Sequence, residues 1–199
     1  MKLGLFGRTF DPLHYGHLLI AEQCLEQCSL AALWFLPAGD PPHKEGSNIT
    51  PGKQRLEMLK FVTAAEPRFV VHDMELQREG TTYTVDTLRA VKELEPAADL
   101  FFIMGADSLN DLPTWKDPAA IAKLATIVVV NRGTEPMFRP AEIVNLVGSE
   151  IAKRVQPVTM PGVDFSSSDI RNRIANNRSV RYMTPRSIEA YIEEHQLYK

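Results

Sequence analysis

Two histidines, His14 and His17, lie three residues apart where a short apolar run gives way to a turn and then to an apolar, helix-periodic segment. Side chains three positions apart at a helix start lie on one face, so both imidazoles can reach the same bound group. A strand, a turn and a helix in succession direct backbone N–H groups and the positive helix end at an anion. Gly16, between the histidines, lets a nucleotide approach the backbone closely. The pattern therefore predicts a phosphate-binding site.

The other candidates for chemistry are donors and cations rather than nucleophiles. They are Lys44, Arg132, Arg171 and the serines at 166–168. No Ser-His-Asp or Cys-His pairing is evident near the turn, which argues against covalent catalysis. The phosphate-loop pattern GxxxxGK[ST] and the dinucleotide fingerprint GxGxxG are both absent from the sequence. Donors without a nucleophile favour phosphoryl or nucleotidyl transfer, in which catalysis is mostly positioning and charge neutralisation. Mg²⁺ bridging a triphosphate is the expected cofactor.

Apolar runs alternate with helix-periodic segments along the chain, which predicts an α/β fold with a Rossmann-like, doubly wound parallel sheet. The predicted strands cover residues 3–6, 30–36, 68–72, 99–104, 126–130 and 155–158. The predicted longer helices cover residues 15–28, 51–65, 84–94, 118–124, 140–147, 166–175 and 185–195. The first strand is expected to end at Gly7 and the fourth at Gly105. In a doubly wound sheet these two ends flank the switch point, where ligands bind.

Three helix starts carry candidate N-cap residues, whose side chains satisfy free backbone N–H groups. Thr82 or Thr84 is expected to cap the helix at 84–94. Asp107 or Ser108 is expected to cap the helical turns that follow the fourth strand. The serines at 166–168 are expected to cap the helix that carries Arg171.

The bulk properties predict a cytoplasmic protein of one domain, residues 1–199, with a helical C-terminal part from about 166. A chain of 199 residues with 44% hydrophobic residues can bury one core of ordinary size. The net charge of −3 offers no basic surface for nucleic acid. The longest uncharged apolar run, residues 124–130, is too short to span a bilayer, and no signal-peptide core precedes Arg8. Cys24 and Cys28 are expected to be reduced core residues.

Several motifs resemble those of the bacterial nicotinate-nucleotide adenylyltransferases. Gly7-x-Thr9-Phe10-Asp11-Pro12-x-His14-x-Gly16-His17 matches the HxGH signature of the wider nucleotidyltransferase superfamily, and Ser167-Ser168-Asp169-Ile170-Arg171 matches the superfamily's second phosphate motif. The narrower matches are Pro41-Pro42-His43-Lys44, Thr82-Tyr83-Thr84-x-Asp86-Thr87-Leu88, Gly105-x-Asp107-Ser108-Leu109 and Trp115. The resemblance covers essentially the whole chain.

This resemblance implies that the phosphate of nicotinate mononucleotide attacks the α-phosphate of ATP, releasing pyrophosphate and forming deamido-NAD in NAD biosynthesis. His14, His17 and Arg171 would be catalytic, with His17 at the α-phosphate. The residues implied to bind ATP are Gly7, Arg8, Thr9, Phe10, Gly16, Lys44, Gly105, Asp107, Arg132, Ser167 and Ser168. Among them Asp107 would meet the ribose, Arg132 the adenine, and Lys44 and both serines the phosphates. The residues implied to bind nicotinate mononucleotide are Thr82, Tyr83, Thr84 and Trp115. Asp86 would support this region structurally, and no residue is implied as a metal ligand.

Four points stay open at the level of the sequence. The family usually has a second glycine where this chain has Arg8, and an arginine would be costly there if the backbone needed a positive φ. Because relatives in the superfamily tolerate a small side chain at this place, an ordinary backbone is expected, with the Arg8 side chain in solvent or on a phosphate. Trp115 either stacks on the nicotinate ring or packs in the core. The acceptor could instead be nicotinamide mononucleotide or phosphopantetheine, although pantetheine enzymes usually carry threonine in place of His14. The chain could also be a nucleotide-binding regulator without activity, which the intact His14, His17 and Arg171 disfavour. The oligomeric state is not predicted.

Overall fold

A computed structural model describes residues 1–39, 49–132 and 139–199, with Arg132 described by its backbone alone. The described strands are β1 (Lys2–Arg8), β2 (Ala32–Pro37), β3 (Phe69–Val71), β4 (Asp99–Gly105), β5 (Ala125–Arg132) and β6 (Val155–Met160). They form one parallel sheet in the order β3-β2-β1-β4-β5-β6. This is the strand order of the Rossmann sheet, so the predicted fold class is confirmed.

The helices in the described ranges lie close to their predicted positions. They are α1 (Tyr15–Gln27), α2 (Gly52–Thr63), α3 (Thr84–Leu94), α4 (Ala106–Asp111), α5 (Pro118–Leu124), α6 (Pro140–Val147), α7 (Ser149–Ala152), α8 (Ser167–Ala175) and α9 (Arg186–Glu194), with a 3₁₀ turn at Leu112–Thr114. The agreement is close because glycine and proline mark many of the boundaries. The four-residue α7 has no counterpart in the sequence prediction.

The carboxyl ends of β1 and β4 adjoin at the point where the strand order reverses. β1 pairs with β2 on one side and with β4 on the other, where Leu5 lies opposite Phe102. The prediction that the first strand ends at Gly7 is wrong by one residue. Gly7 keeps its place in the ladder opposite Leu36, and Arg8 follows it opposite Pro37.

Apolar side chains cover both faces of the sheet. Phe6 packs with the buried side of α1, whereas its neighbour Leu5 packs with α3 on the opposite face, as alternation along a strand requires. A third cluster, formed by Met58, Ile188, Tyr191 and Ile192, joins α2 to α9. Within the described ranges, no helix is long and apolar enough to cross a membrane.

Cys24 and Cys28 are buried free thiols, which confirms the expectation of reduced core residues. Burial raises the pKa of both thiols, so neither is set up as a reactive thiolate.

Two of the three predicted N-caps are wrong. α3 begins after Tyr83 and α4 after Gly105, and no side chain forms a cap hydrogen bond at either position. The third prediction is confirmed, because Ser166 Oγ accepts a hydrogen bond from the backbone N–H of Asp169 at 3.0 Å. The N-cap position of α3 falls between the two candidate threonines, and that of α4 falls two residues before Asp107.

Candidate active site

The segment that joins β1 to α1, residues 9–14, carries the first histidine and is called the histidine loop here. The left-handed backbone conformation in this region falls at Phe10, with φ of 51°, and not at Arg8. Phe10 is buried and its ring packs edge-on against the rings of Phe6 and His17. Core packing therefore holds the loop in a conformation that side-chain-bearing residues rarely adopt. The ordinary backbone expected for Arg8 is confirmed.

The structure brings the two predicted histidines together. The rings of His14 and His17 stack with centroids 3.7 Å apart and planes 21° apart, and both residues are buried. The backbone N–H of His14 donates to His17 Nδ1 at 3.3 Å. Because Nδ1 accepts this bond, the proton of a neutral His17 ring lies on Nε2, which makes Nε2 a donor.

Gly16 has a role that sequence reasoning missed. A Cβ at this position would lie 3.0 Å from both Cε1 and Nδ1 of the His14 ring. The glycine therefore makes room for the stacked histidine pair, in addition to the nucleotide approach that the sequence predicts.

The second phosphate motif lies against the histidine loop. Ser167 Oγ donates to the carbonyl of Pro12 at 2.9 Å, and Arg171 Nη1 donates to the carbonyl of Asp11 at 2.6 Å. Arg171 Nη2 also donates to Ser168 Oγ at 3.4 Å. A guanidinium has five N–H donors, so these contacts use only part of its capacity. The structure thus joins two motifs that are about 160 residues apart in the chain.

Arg55 is a buried guanidinium that the sequence analysis missed. From α2 it donates to three backbone carbonyls, those of Thr50 at 2.9 Å, Thr9 at 2.8 Å and Ala38 at 2.8 Å. Thr9 begins the histidine loop, and Ala38 follows β2. One side chain therefore ties the loop to the segments on either side of it.

The C-terminal part of the chain supplies two more anchors that no sequence pattern indicates. Thr184, which is 1% exposed, donates through Oγ1 to the carbonyl of Leu13 at 2.6 Å. Tyr198 donates its hydroxyl to Asp11 Oδ1 at 2.6 Å, and the backbone N–H of Thr50 donates to Asp11 Oδ2 at 3.2 Å. Burial and the nearby Asp11 carboxylate raise the pKa of Tyr198, which keeps its hydroxyl a donor.

A cavity of about 340 Å³, called the strand-end cavity here, opens at the carboxyl ends of β1 and β4. Its lining includes Gly7, Arg8 and Thr9 from the end of β1 and the start of the histidine loop. Thr82, Thr84 and Trp115 also line it. The other lining residues are Leu5, Leu36, Ala38, Glu75, Thr87, Leu88, Phe102, Ile103, Met104 and Ser108. The cavity is therefore mostly apolar with a few hydroxyls, as sites for flat organic ligands are.

Trp115 has the core contact that the sequence left open, and stacking on the nicotinate ring stays a prediction. It lines the cavity, and its ring lies edge-on to the buried Phe102 with centroids 6.0 Å apart. Tyr83, unlike Thr82 and Thr84, does not line the cavity. The Lys116 ammonium lies 4.4 Å from the centre of its ring.

A buried carboxyl group, Glu75, lines the same cavity and was not predicted. Thr87 Oγ1 donates to Glu75 Oε1 at 2.7 Å and accepts from Arg78 Nη1 at 3.2 Å. Burial raises the pKa of Glu75, while the Thr87 hydrogen bond and the Arg78 charge oppose that rise. The cavity wall thus contains a carboxyl group whose charged form is disfavoured.

Asp86 supports the cavity rim from outside, as predicted. It accepts from Lys116 Nζ at 2.8 Å and pairs with Arg89 at 3.2 Å, and Arg89 also pairs with Asp117 at 3.3 Å. The Lys116 hydrogen bond, more than any other contact, holds the pKa of Asp86 below its usual range. These ion pairs join the start of α3 to the turn that follows Trp115.

The remaining predicted residues are only partly placed. Gly105 ends β4 beside β1, and Asp107 is exposed in the first turn of α4. Arg132 ends β5, and its side chain is outside the described part of the structure. Lys44 also lies outside the described residues. Among those residues, no group of three or more His, Cys, Asp or Glu side chains could hold a metal ion.

Comparisons with known proteins show which family the chain belongs to. The model of the family described as "Cytidylyltransferase-like" matches residues 5–173. A protein of Thermus thermophilus is 43% identical over the full length of both chains. One of Thermomicrobium roseum is 42% identical over all of this chain and 92% of its own. Both relatives are described as "Probable nicotinate-nucleotide adenylyltransferase".

A solved structure with a similar fold is the nicotinic acid mononucleotide adenylyltransferase of Plasmodium falciparum complexed with NaAD. Its TM-score is 0.82 over 99% of this chain and 97% of that one, at 18% identity, so the likeness shows the fold. The family match and the full-length relatives show more than the fold. The chain belongs to the cytidylyltransferase-like family and, within it, to the nicotinate-nucleotide adenylyltransferases.

Proposed function

We propose that the protein transfers the adenylyl group of ATP to nicotinate mononucleotide, forming deamido-NAD and pyrophosphate in NAD biosynthesis. One observation carries the proposal: the strand-end cavity opens beside the loop that leads into the stacked pair of His14 and His17. Gly7 and Thr9 line the cavity, and His14 and His17 follow within ten residues. An acceptor in the cavity and a triphosphate at the histidines would therefore meet at the end of β1. The names of the full-length relatives favour the same acceptor. We expect one domain that works in the cytoplasm.

The proposed reaction is a direct displacement at phosphorus. An oxygen of the acceptor's phosphate attacks the α-phosphorus of ATP and forms the new P–O bond. The bond from that phosphorus to the bridging oxygen of the β-phosphate breaks, and pyrophosphate leaves with the electron pair. No protein nucleophile is required, so the protein's contribution is to position two anions and to offset their charge.

His17 is the proposed donor to the α-phosphate. Its Nδ1 accepts from the His14 backbone, so Nε2 carries the proton that it donates to a phosphate oxygen. The residue lies in the first turn of α1, where the helix end favours an anion. Charge on the α-phosphate changes most as the new bond forms, so this donor acts mainly on the transition state. His14, stacked on His17, is proposed to bind the outer phosphates.

The other predicted residues complete the proposed binding of the two substrates. Arg171 keeps N–H donors beyond those on Asp11 and Ser168, and these would bind the outer phosphates together with Ser167 and Ser168. The remaining ATP contacts are assigned to Gly7, Thr9, Phe10, Gly16, Lys44, Gly105, Asp107 at the ribose and Arg132 at the adenine. Thr84 would hydrogen-bond the acceptor and Trp115 would stack on its pyridine ring, with Thr82 and Tyr83 beside them.

Mg²⁺ is proposed to enter with ATP rather than to occupy a protein site. The described residues form no cluster of three or more metal-ligating side chains, which fits an ion that is held by phosphate oxygens. When bound, it would offset part of the triphosphate charge.

The function is tested by pyrophosphate release from ATP and Mg²⁺ with three acceptors in turn. We expect a strong preference in kcat/KM for nicotinate mononucleotide over nicotinamide mononucleotide, and no reaction with phosphopantetheine. Equal kcat/KM for the acid and the amide would contradict the proposed acceptor. No release of pyrophosphate with any of the three acceptors would favour the alternative that the chain is a nucleotide-binding regulator without activity.

Replacement of His17 by alanine tests its role in the same assay. His17→Ala should lower kcat by about 10²–10³-fold, the usual effect of losing one preorganised donor, with a smaller change in KM for ATP. His195→Ala, at an exposed position after α9, is the matched control and should leave kcat unchanged. Circular dichroism confirms folding of both variants. A His17→Ala variant with altered KM for ATP and intact kcat would show instead that His17 binds the ground state and the transition state equally.

A further inference from the structure

The strand-end cavity has two ionisable residues among its described lining residues, Arg8 and Glu75. The carboxyl group of Glu75 is engaged by the Thr87 hydroxyl at 2.7 Å, and burial raises its pKa. Arg8 is always protonated in a protein. Among the described residues of the cavity wall, Arg8 therefore carries a positive charge that does not change with pH.

The position of Arg8 places its charge at the switch point of the sheet. Arg8 is the last residue of β1, and a Cβ on Gly105 at the end of β4 would lie 3.1 Å from Arg8 Nη2. The guanidinium thus extends across the crevice between the two strand ends, over a residue with no side chain to displace it. The histidine loop begins at the next residue.

We propose that Arg8 binds the phosphate of the acceptor mononucleotide, the group that attacks ATP, and not the phosphates of ATP. This inference rests on the proposed adenylyl transfer. Arg8 shares the cavity with Thr82, Thr84 and Trp115, which belong to the proposed acceptor site. The acceptor's phosphate must reach the α-phosphate at His17, and Arg8 lies between the cavity and the loop that leads to His17.

The chemistry of a guanidinium suits this task. Its planar fork matches two phosphate oxygens, so it fixes the direction of the attacking oxygen as well as its position. The reaction brings the acceptor's phosphate against a triphosphate of the same sign. A cation on the acceptor side offsets this repulsion before the bond forms. Arg8 is thus a specificity-determining residue for acceptors that carry a phosphate at this point.

The test compares Arg8→Gln and Arg8→Lys with the wild-type protein in steady-state kinetics. We expect Arg8→Gln to raise KM for nicotinate mononucleotide roughly ten- to hundredfold, the usual result of losing a hydrogen bond to a charged group. KM for nicotinamide mononucleotide should rise by the same factor, because both acceptors carry the same phosphate. KM for ATP should stay within about twofold. Arg8→Lys should show a smaller loss, because the charge is kept and the fork is not.

Three kinetic results would overturn the inference. A rise in KM for the acid acceptor alone would place Arg8 on the nicotinate carboxylate. A rise in KM for ATP alone would place it on the triphosphate. Unchanged KM values for all substrates would show that Arg8 contacts no ligand. Arg178→Gln, at an exposed arginine after α8, is the matched control and should change none of these values.

Titration calorimetry with nicotinate mononucleotide in the absence of ATP separates this inference from the proposed function. A wild-type protein that binds the mononucleotide, with weaker binding to Arg8→Gln, supports the role of Arg8 even where no pyrophosphate is released. If the wild-type protein and Arg8→Gln bind the mononucleotide equally, the role of Arg8 is overturned. The proposed adenylyl transfer is unaffected by that result, because the pyrophosphate assay tests it separately. A wild-type protein that does not bind the mononucleotide overturns this inference as well.

Discussion

The histidine loop and the strand-end cavity are held by different kinds of contact. Side chains from distant parts of the chain bind the loop's backbone: Arg171 lies 160 residues from Asp11, and Thr184 lies 171 residues from Leu13. The polar contacts described for the cavity wall and its rim span shorter stretches of the chain. Glu75 and Thr87 are 12 residues apart, and the rim is joined by half-exposed ion pairs such as Lys116 with Asp86.

This difference indicates where the site is fixed and where it can vary. Buried hydrogen bonds to backbone carbonyls hold a loop firmly, because breaking one leaves an unsatisfied polar group. Exposed ion pairs contribute little, since water and salt screen them. The ATP side is therefore expected to depend on the whole fold, whereas the acceptor side is expected to tolerate local change.

The largest effect is expected from Arg55, whose loss leaves three backbone carbonyls without that donor. At about 1 kcal/mol or more each, Arg55→Met should lower the free energy of unfolding by about 3 kcal/mol. For a chain of this size, this corresponds to a fall in Tm of roughly 6–12 °C. Differential scanning calorimetry measures the effect.

Lys53→Met, at an exposed position on the same helix, is the control for Arg55 and should shift Tm little. A similar small shift for Arg55→Met would show that the histidine loop does not depend on this guanidinium. The histidine loop would then be held no more firmly than the cavity rim.

A smaller but more selective effect is expected from Thr184. Thr184→Val keeps the shape of the side chain and removes the donor to Leu13, at a cost of about 1–2 kcal/mol in stability. Because Leu13 directly precedes His14, we expect kcat for adenylyl transfer to fall roughly ten- to hundredfold through misplacement of the histidines. KM for the acceptor should change little. Initial rates of pyrophosphate release at varied acceptor concentration give kcat and the KM for the acceptor.

Thr184→Ser keeps the hydroxyl and should restore most of kcat. If the valine and serine variants are equally slow, the methyl group matters and the hydrogen bond does not. If the valine variant loses stability and keeps its kcat, Thr184 has a structural role alone.

The sequence predicts the parts of this site that are local in the chain. His14 and His17 are near neighbours, and glycines mark the ends of β1 and β4 to within one residue, so pattern and spacing are sufficient. Arg55 and Thr184 could not be predicted, because their partners are backbone carbonyls that only packing brings near. The helix starts after Tyr83 and Gly105 could not be predicted from the nearest polar residue either, because α3 begins without a side-chain cap and α4 follows β4 with no intervening loop.

The smallest effect is expected on the cavity side, from the pH dependence of Glu75. Burial raises the folded-state pKa of this carboxyl above its unfolded value of 4.5. The folded protein therefore binds more protons than the unfolded chain above pH 4.5, and the stability that Glu75 contributes at low pH is lost as pH rises through the folded-state pKa.

Glu75→Gln removes this titration and keeps an oxygen for the Thr87 hydroxyl. The Tm of the variant, relative to wild type, should thus rise by a few degrees between pH 4 and pH 8. Glu79→Gln, exposed in the same segment, should follow the wild-type profile. A Glu75→Gln variant whose Tm stays parallel to wild type would show that the cavity wall carries an ordinary carboxylate, whose negative charge would offset the positive charge of Arg8.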